Sequence, residues 1–153
     1  MSHARTQIRD AVVAVLNGTL LPVKSQRVTP LRQSELPVLT VSINRDVRVE
    51  SSYEEVLRKC YITVSIYAQS DVADDAIDDI AANIETLMFG TYSVENGLYL
   101  SDLLHNLELE ATEIRQNQEG QTDISIARLT FAGDYVINRS NPHDVLGYYL
   151  DKQ

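Results

Sequence analysis

The run from residue 58 to residue 88 limits the fold more than any other part of the chain, because an alternating strand there leads into an amphipathic helix. Over residues 58–68, apolar side chains take every second position and share one face of the predicted strand; they are Cys60, Ile62, Val64 and Ile66. The other face carries Tyr61, Thr63, Ser65 and Tyr67. A sheet with one aliphatic face and one face of tyrosines and hydroxyls suits a protein that binds other protein surfaces.

Two helices are predicted from apolar residues that recur at helical spacing. The first covers residues 6–16 and ends at Asn17 and Gly18, which favour termination. The second covers about residues 71–88 and ends before Gly90. Its apolar stripe consists of Val72, Ala73, Ala76, Ile77, Ile80, Ile84, Leu87 and Met88.

Alternation also predicts short strands over residues 39–43 and 47–49, joined by a turn at residues 44–46. A hairpin is predicted over residues 107–131, with its turn at residues 117–121 and a bulge near Ala127 and Arg128. These elements indicate the α+β class. We expect a mixed, mainly antiparallel β-sheet with two principal α-helices packed on one face, plus a β-hairpin and long loops.

At 153 residues the chain has the size of one domain. We expect a single α+β domain over residues 1–137 and a C-terminal tail over residues 138–153 that is flexible or used for docking. Tyr148 and Tyr149 lie in this tail and are predicted to be exposed, where they would contact a partner.

Composition and charge exclude several classes of protein. A net charge of -9 argues against a protein that grips nucleic acid through its phosphates. No stretch approaches the roughly 20 apolar residues of a membrane span, and the first residues lack the apolar core of a secretory signal, so we expect a cytosolic protein without membrane contact. Cys60 has no second cysteine to pair with, and its place on the apolar face predicts a buried structural thiol rather than a nucleophile.

Five aspartates cluster at the start of the second predicted helix: Asp71, Asp74, Asp75, Asp78 and Asp79. Neighbours at helical spacing repel one another unless a cation or a partner relieves the repulsion. A calcium site needs a glycine-broken loop, which a helix does not provide. The first aspartates complement the positive end of the helix dipole, so a solvated face is the simplest interpretation, and a salt bridge between subunits is the alternative.

No catalytic, cofactor-binding or metal site is predicted. The histidines His3, His105 and His143 sit in separate segments without the spacing of zinc ligands, and each is expected at the surface. The sequence has no glycine-rich phosphate loop and no nucleophile elbow. We therefore expect a protein that is not an enzyme.

Three charged residues, Arg45, Asp46 and Arg48, fall in or beside the predicted turn at residues 44–46. Exposed turns favour such residues, so ordinary surface charges are one interpretation, and a protruding loop that offers cations to a neighbour is the other. If the chain forms a ring, the aspartates of residues 71–79 would complement these arginines. Reversal of Asp75 or Asp78 to lysine would then weaken assembly.

The order and character of these segments resemble the tail terminator proteins of long-tailed bacteriophages. The segments that carry the resemblance are RVTPLRQSELPVLTVSI, NRDVRVESS, RKCYITVSIYAQS, DVADDAIDDIAANIETLM and LELEATEIRQNQEGQTDISIARLTFAGDYVI. The resemblance implies a small α+β subunit of the virion tail, assembled in the host cytoplasm into a hexameric ring on the head-proximal end of the tail tube. There it would stop tube growth and present a surface for head joining.

The partners implied by this resemblance are other copies of the chain, the tail tube protein and the head-tail connector protein. DNA would pass through the lumen without specific binding, and an acidic lining would repel its phosphates. Two alternatives remain: another neck or tail-completion component, and a cytosolic ligand-binding or enzyme subunit. A deep pocket with convergent polar groups would favour the latter, whereas flat edges and loops would favour ring assembly.

Overall fold

The computed structural model describes residues 3–25, 36–69, 74–90, 100–116 and 124–146. The helices are α1 (Ala4–Leu16), α2 (Asp74–Phe89) and the short α3 (Leu100–Leu103), and a 3₁₀ turn (Asn17–Thr19) follows α1. The strands are β1 (Val23–Lys24), β2 (Val38–Ser51), β3 (Glu55–Gln69), β4 (His105–Gln116), β5 (Ile124–Asn138) and β6 (Asn141–Leu146).

The strands form one sheet in the order β1-β2-β3-β5-β4. β6 pairs with the last residues of β5, just past the position where β4 begins at His105. Only the short pairing of β1 with β2 is parallel among the described strands; the other pairings are antiparallel. The α+β class with a mixed, mainly antiparallel sheet is therefore confirmed.

The helices pack on one side of the sheet, which we call the first face. There Cys60, Ile62 and Val64 of β3 are fully buried with α1 and α2 in one apolar cluster. On β5, Leu129 and Phe131 complete the same layer at 0% exposure. We call the opposite side the second face; it carries the tyrosines and hydroxyls of β3. The alternation predicted for this strand is confirmed, and so is the burial of Cys60.

The turn predicted at residues 44–46 is wrong. β2 runs unbroken from Val38 to Ser51, with register shifts against β3 between Ile43 and Arg45 and between Arg48 and Glu50. The chain reverses at residues 52–54 instead, where the Ser52 hydroxyl accepts a hydrogen bond from the Glu55 amide at 3.1 Å. Asn44 has no partner in the register with β3 and forms a β-bulge. Because a bulge accommodates one extra residue within a strand, the turn-like sequence continues the strand here.

The bulge predicted in β5 is also wrong. β5 keeps an unbroken register with β3 along its whole length, from Ile124 to Asn138. The irregularity lies in the partner strand, where the register of β4 shifts between Leu109 and Ala111. The first-face positions at the start of β5 are filled by Ser125 and Ala127, which are buried despite their small size.

The remaining predicted boundaries differ by a few residues. α1 begins at Ala4, two residues earlier than expected, because the His3 side chain accepts a hydrogen bond from the Arg5 amide and caps it. α2 ends at Phe89, just before Gly90. β6 lies inside the segment expected as a tail. Asp71, the hairpin turn at residues 117–121, Tyr148 and Tyr149 lie outside the described residues.

Candidate interaction surfaces

A buried carboxylate joins α1 to the sheet. The bulge after Ile43 turns Asp46 to the first face, where it pairs in register with Cys60. Its side chain is 9% exposed, and its Oδ2 accepts a hydrogen bond from Arg5 Nη1 at 2.9 Å and another from the Tyr135 hydroxyl. Arg58 Nη1 lies 3.7 Å from the same oxygen. Asp46 is therefore a buried residue that links α1 to the sheet through hydrogen bonds, and it is not a surface charge in a turn.

The surroundings of Asp46 change the acidity of its neighbours. Burial raises the pKa of the Cys60 thiol to about 12, and the charge of Asp46 adds to this effect. Burial and the hydrogen bond to Asp46 also raise the pKa of Tyr135 above its ordinary value. Burial lowers the pKa of His3, and Arg5 and Arg58 lower it further. Cys60 thus stays a protonated thiol near neutral pH, a state in which it is a poor nucleophile.

The three histidines are half-buried, not fully at the surface as expected. His3 caps α1, while His105 Nε2 and His143 Nδ1 are buried and have no hydrogen-bond partner among the residues that the structure describes. Across the described ranges, no group of three histidine, cysteine or acidic side chains could hold a metal ion.

The second face carries a shallow polar groove of about 400 Å³. Its floor includes Thr63 and Ser65, which are 9% and 5% exposed. On its wall the Asn44 amide nitrogen donates to the Thr63 hydroxyl at 2.7 Å, and the Ser42 hydroxyl donates to the Asn44 carbonyl oxygen at 3.0 Å. Ser42, Asn44 and Thr63 therefore satisfy one another within the groove.

The sheet ends in two long edges. We define the β2 edge as residues 41–51, which follow the short pairing with β1, and the β4 edge as residues 105–116; within the described chain both pair on one side only. The β2 edge exposes Arg45, whose guanidinium lies 5.5 Å from the centre of the Tyr61 ring, and Arg48, which donates to the Ser51 hydroxyl at 3.4 Å.

The β4 edge is acidic. Glu108, Glu110 and Glu113 are exposed along it, and one weak ion pair joins Glu113 to Arg115 at 3.8 Å. Sequence reasoning missed this edge. The alternation of leucine and glutamate at residues 107–110 was a usable signal, because it predicts one row of carboxylates along a strand.

The aspartates of α2 form a third surface. Asp74 begins the helix, and Asp75, Asp78 and Asp79 are exposed on the side opposite the buried Ile77 and Ile84. None of these three exposed carboxylates forms an ion pair with another residue that the structure describes. The structure thus places Arg45 and Arg48 on a strand edge and these aspartates on a helix, and it does not bring the two groups together within one subunit.

No helix in the described part of the chain is long and apolar enough to cross a membrane. The sequence matches no known protein family, and no curated protein matches it. Among solved structures the chain is similar to a chain of the virion of a native gene transfer agent particle, with 18% sequence identity and a TM-score of 0.48; the match covers 86% of this chain and 90% of that chain.

Proposed function

We propose that this protein is a structural subunit of a tailed virion that assembles into a ring on the head-proximal end of the tail tube. The ring ends tube growth and presents the surface on which the head connector docks. The observation that carries this proposal is the pair of long, exposed sheet edges of unlike charge on a subunit whose helices close one face of the sheet. A subunit that binds a different surface of its neighbour on each side forms a ring or a filament.

The chemistry of the interior supports a binding role rather than catalysis. The buried carboxylate of Asp46 is engaged by Arg5 and Tyr135, and burial keeps Cys60 protonated. An active site needs a reactive group that faces a substrate with its charge available. The polar groups that we identify in the described chain instead hold the fold together or lie exposed on edges and on α2.

The acidic surface of α2 has a role in the same proposal. The exposed Asp75, Asp78 and Asp79 give a negative surface that repels phosphates if it faces the lumen and attracts a basic partner if it faces the tube or the connector. Asp71 and Asp74, which precede them in the sequence, are proposed to add to this charge. DNA then slides through the ring without being held. Tyr148 and Tyr149 are proposed to contact the partner protein at one end of the ring.

The experiment that tests this function measures the mass of the purified protein by light scattering across a concentration series, with negative-stain images of any large species. A closed ring with a central hole that binds the end of the tail tube of the same particle is the expected result. Rings that bind the connector but leave tube ends uncapped would identify a neck component instead. A chain that neither forms rings nor caps tubes contradicts the proposal.

A further inference from the structure

We propose that the ring closes by sheet extension: the β2 edge of one copy pairs with the β4 edge of the next, and Arg45 and Arg48 face Glu110 and Glu113. The inference rests on the proposed function for the existence of the ring. It names the contact that builds the ring, which the resemblance in the sequence does not assign.

Strand direction is the first argument. β2 is antiparallel to β3, β3 to β5 and β5 to β4, so β2 and β4 run in opposite directions at the two sides of the sheet. A neighbour that continues the sheet in the same orientation therefore brings its β2 edge antiparallel to β4. The β4 edge covers residues 105–116 and the β2 edge covers residues 41–51, so the two edges are matched in length to within one residue. Pairing would satisfy the backbone groups that each edge leaves unpaired in the described subunit.

Charge is the second argument. Arg45 and Arg48 lie near the middle of the β2 edge and the exposed Glu50 lies near its end, while Asp46 points to the first face and is engaged by Arg5. Glu108, Glu110 and Glu113 lie along the middle of the β4 edge. An antiparallel register that sets Arg48 opposite Glu110 also sets Arg45 opposite Glu113, and opposite charges on facing strands attract. The same register sets Glu50 opposite Glu108, which is one repulsive pair against two attractive ones.

The same charges select against the wrong pairing. Two β2 edges aligned about their centres would bring Arg45 of one copy close to Arg48 of the other. Two β4 edges aligned in the same way would set Glu108 opposite Glu113, and both arrangements are repulsive. A two-fold dimer through like edges is therefore disfavoured, while head-to-tail addition is favoured. Charged edge strands commonly block aggregation. Here the charges disfavour pairing between two β2 edges or two β4 edges, but they favour pairing of a β2 edge with a β4 edge.

Exposed aliphatic side chains are the third argument. Val49 on the β2 edge is 53% exposed and Ile114 on the β4 edge is 52% exposed. Each is one of few large apolar side chains that the described surface leaves half open. Sheet extension would place a neighbouring strand beside each of them and cover part of its surface, and burial of apolar surface favours association.

The exposed aspartates of α2 are the competing acidic partner for the same arginines. They lie on a helix that packs on the first face, and a helix surface offers no backbone groups to pair with a strand edge. The β4 edge offers both charge and backbone pairing, so it is the partner that the structure favours. An experiment separates the two.

Three double variants are compared with the wild-type protein by light scattering at low salt: Arg45→Glu with Arg48→Glu, Glu110→Lys with Glu113→Lys, and, as a control of matched charge change, Asp75→Lys with Asp78→Lys. Each substituted side chain is exposed, so circular dichroism and thermal unfolding should show folded proteins. We expect loss of the ring in the first two variants and an unchanged ring in the third.

Mixing gives the sharper result. In an equimolar mixture of the first two variants, the reversed β2 edge faces a reversed β4 edge and each native edge faces a native one. Rings should therefore return, with the two variants alternating, although neither variant assembles alone. Rings that survive reversal of Glu110 and Glu113 overturn the inference. So does a mixture in which the Arg45 and Arg48 variant is rescued only by the Asp75 and Asp78 variant.

The inference and the proposed function fail in different ways. A wild-type chain that stays monomeric at every concentration overturns sheet extension, because pairing between copies needs no template, and tube capping then still tests the function. Rings that follow the charge-swap pattern but never bind a tail tube support sheet extension and overturn the terminator role. Rings that cap tail tubes but do not respond to the charge reversals support the terminator role and overturn sheet extension.

Discussion

Asp46 and the aspartates of α2 are the same residue type in two regions of the molecule with opposite surroundings. Asp46 is 9% exposed and receives hydrogen bonds from α1 and β5. Asp75, Asp78 and Asp79 are exposed, and no described residue forms an ion pair with them. The difference separates charges that hold the subunit together from charges that are available to a neighbour, a lumen or solvent.

Removal of the internal carboxylate is expected to have the largest effect. Asp46→Ala leaves Arg5 and the Tyr135 hydroxyl without their acceptor and Arg58 without its counter-charge, and loss of one partner from a buried charge network costs about 3 kcal/mol. Urea unfolding followed by circular dichroism measures the change. Asp75→Ala is the matched control and should change the free energy of unfolding by less than about 0.5 kcal/mol. Equal effects at the two sites would erase the distinction between the regions.

Alkaline pH should weaken the same internal region. The folded pKa of Cys60 is raised from 9.0 to about 12, so above pH 9.0 the unfolded chain loses a proton that the folded chain keeps. The contribution of this thiol to the free energy of unfolding is therefore fully present below pH 9.0. It falls as the pH rises toward 12, by about 1.4 kcal/mol per pH unit. Tyr135 adds to this loss of stability once the pH exceeds 10.0, the ordinary pKa of a tyrosine.

The measurement compares urea midpoints of the wild type and of Cys60→Ala at about pH 8 and about pH 10.5. The wild type should lose about 2 kcal/mol more than the variant between the two conditions, because the variant lacks the thiol. The variant is expected to be less stable at both pH values, and the difference between conditions is the quantity that matters. Identical losses would show that the thiol is not shielded.

The alternation of β3 shows which part of the sheet can be predicted from the sequence alone. Residues 60–67 could be assigned to two faces from the period of two alone, because both faces of that strand repeat without interruption. Residues 44–46 could not be assigned, since Asn44, Arg45 and Asp46 have the composition of a turn. What keeps them in a strand is the pairing with β3 and the contacts of Asp46 with Arg5 and Tyr135, which lie 41 and 89 residues away.

The edges of the sheet show the same limit. The sequence predicts Arg45 and Arg48 as residues of a turn and the acidic β4 strand as one arm of a hairpin, and neither pattern indicates which side of the strand is left open. Which strand ends a sheet depends on the order of strands in space, and here the order β2-β3-β5-β4 differs from the order in the chain. Local patterns do not contain that order. The candidate contact therefore needed the structure.

A smaller effect is expected from the tyrosine that binds Asp46. Tyr135→Phe keeps the buried ring, at 0% exposure, and removes the hydroxyl that donates to the carboxylate, which should lower the free energy of unfolding by about 1 kcal/mol. Tyr53→Phe is the matched control because Tyr53 is 93% exposed at the turn between β2 and β3. Thermal and urea unfolding should separate the two variants. A Tyr135→Phe protein as stable as the control would mean that the hydroxyl is equally well served by water.

The smallest effect should have the opposite sign. Asp75 and Asp79 are four residues apart on α2, where like charges repel, and Asp79 lies beyond the first helical turn, so it gains little from the helix dipole. Asp79→Asn should therefore stabilise the subunit by about 0.3 kcal/mol at low salt, and the gain should vanish at about 1 M salt, where such repulsion is screened. Unfolding curves of the wild type and the variant at both salt concentrations measure it. A loss of stability would show that Asp79 has a favourable partner within the subunit. A gain would mean that this carboxylate is retained at a small cost to the fold, as expected of a charge whose use lies outside the subunit.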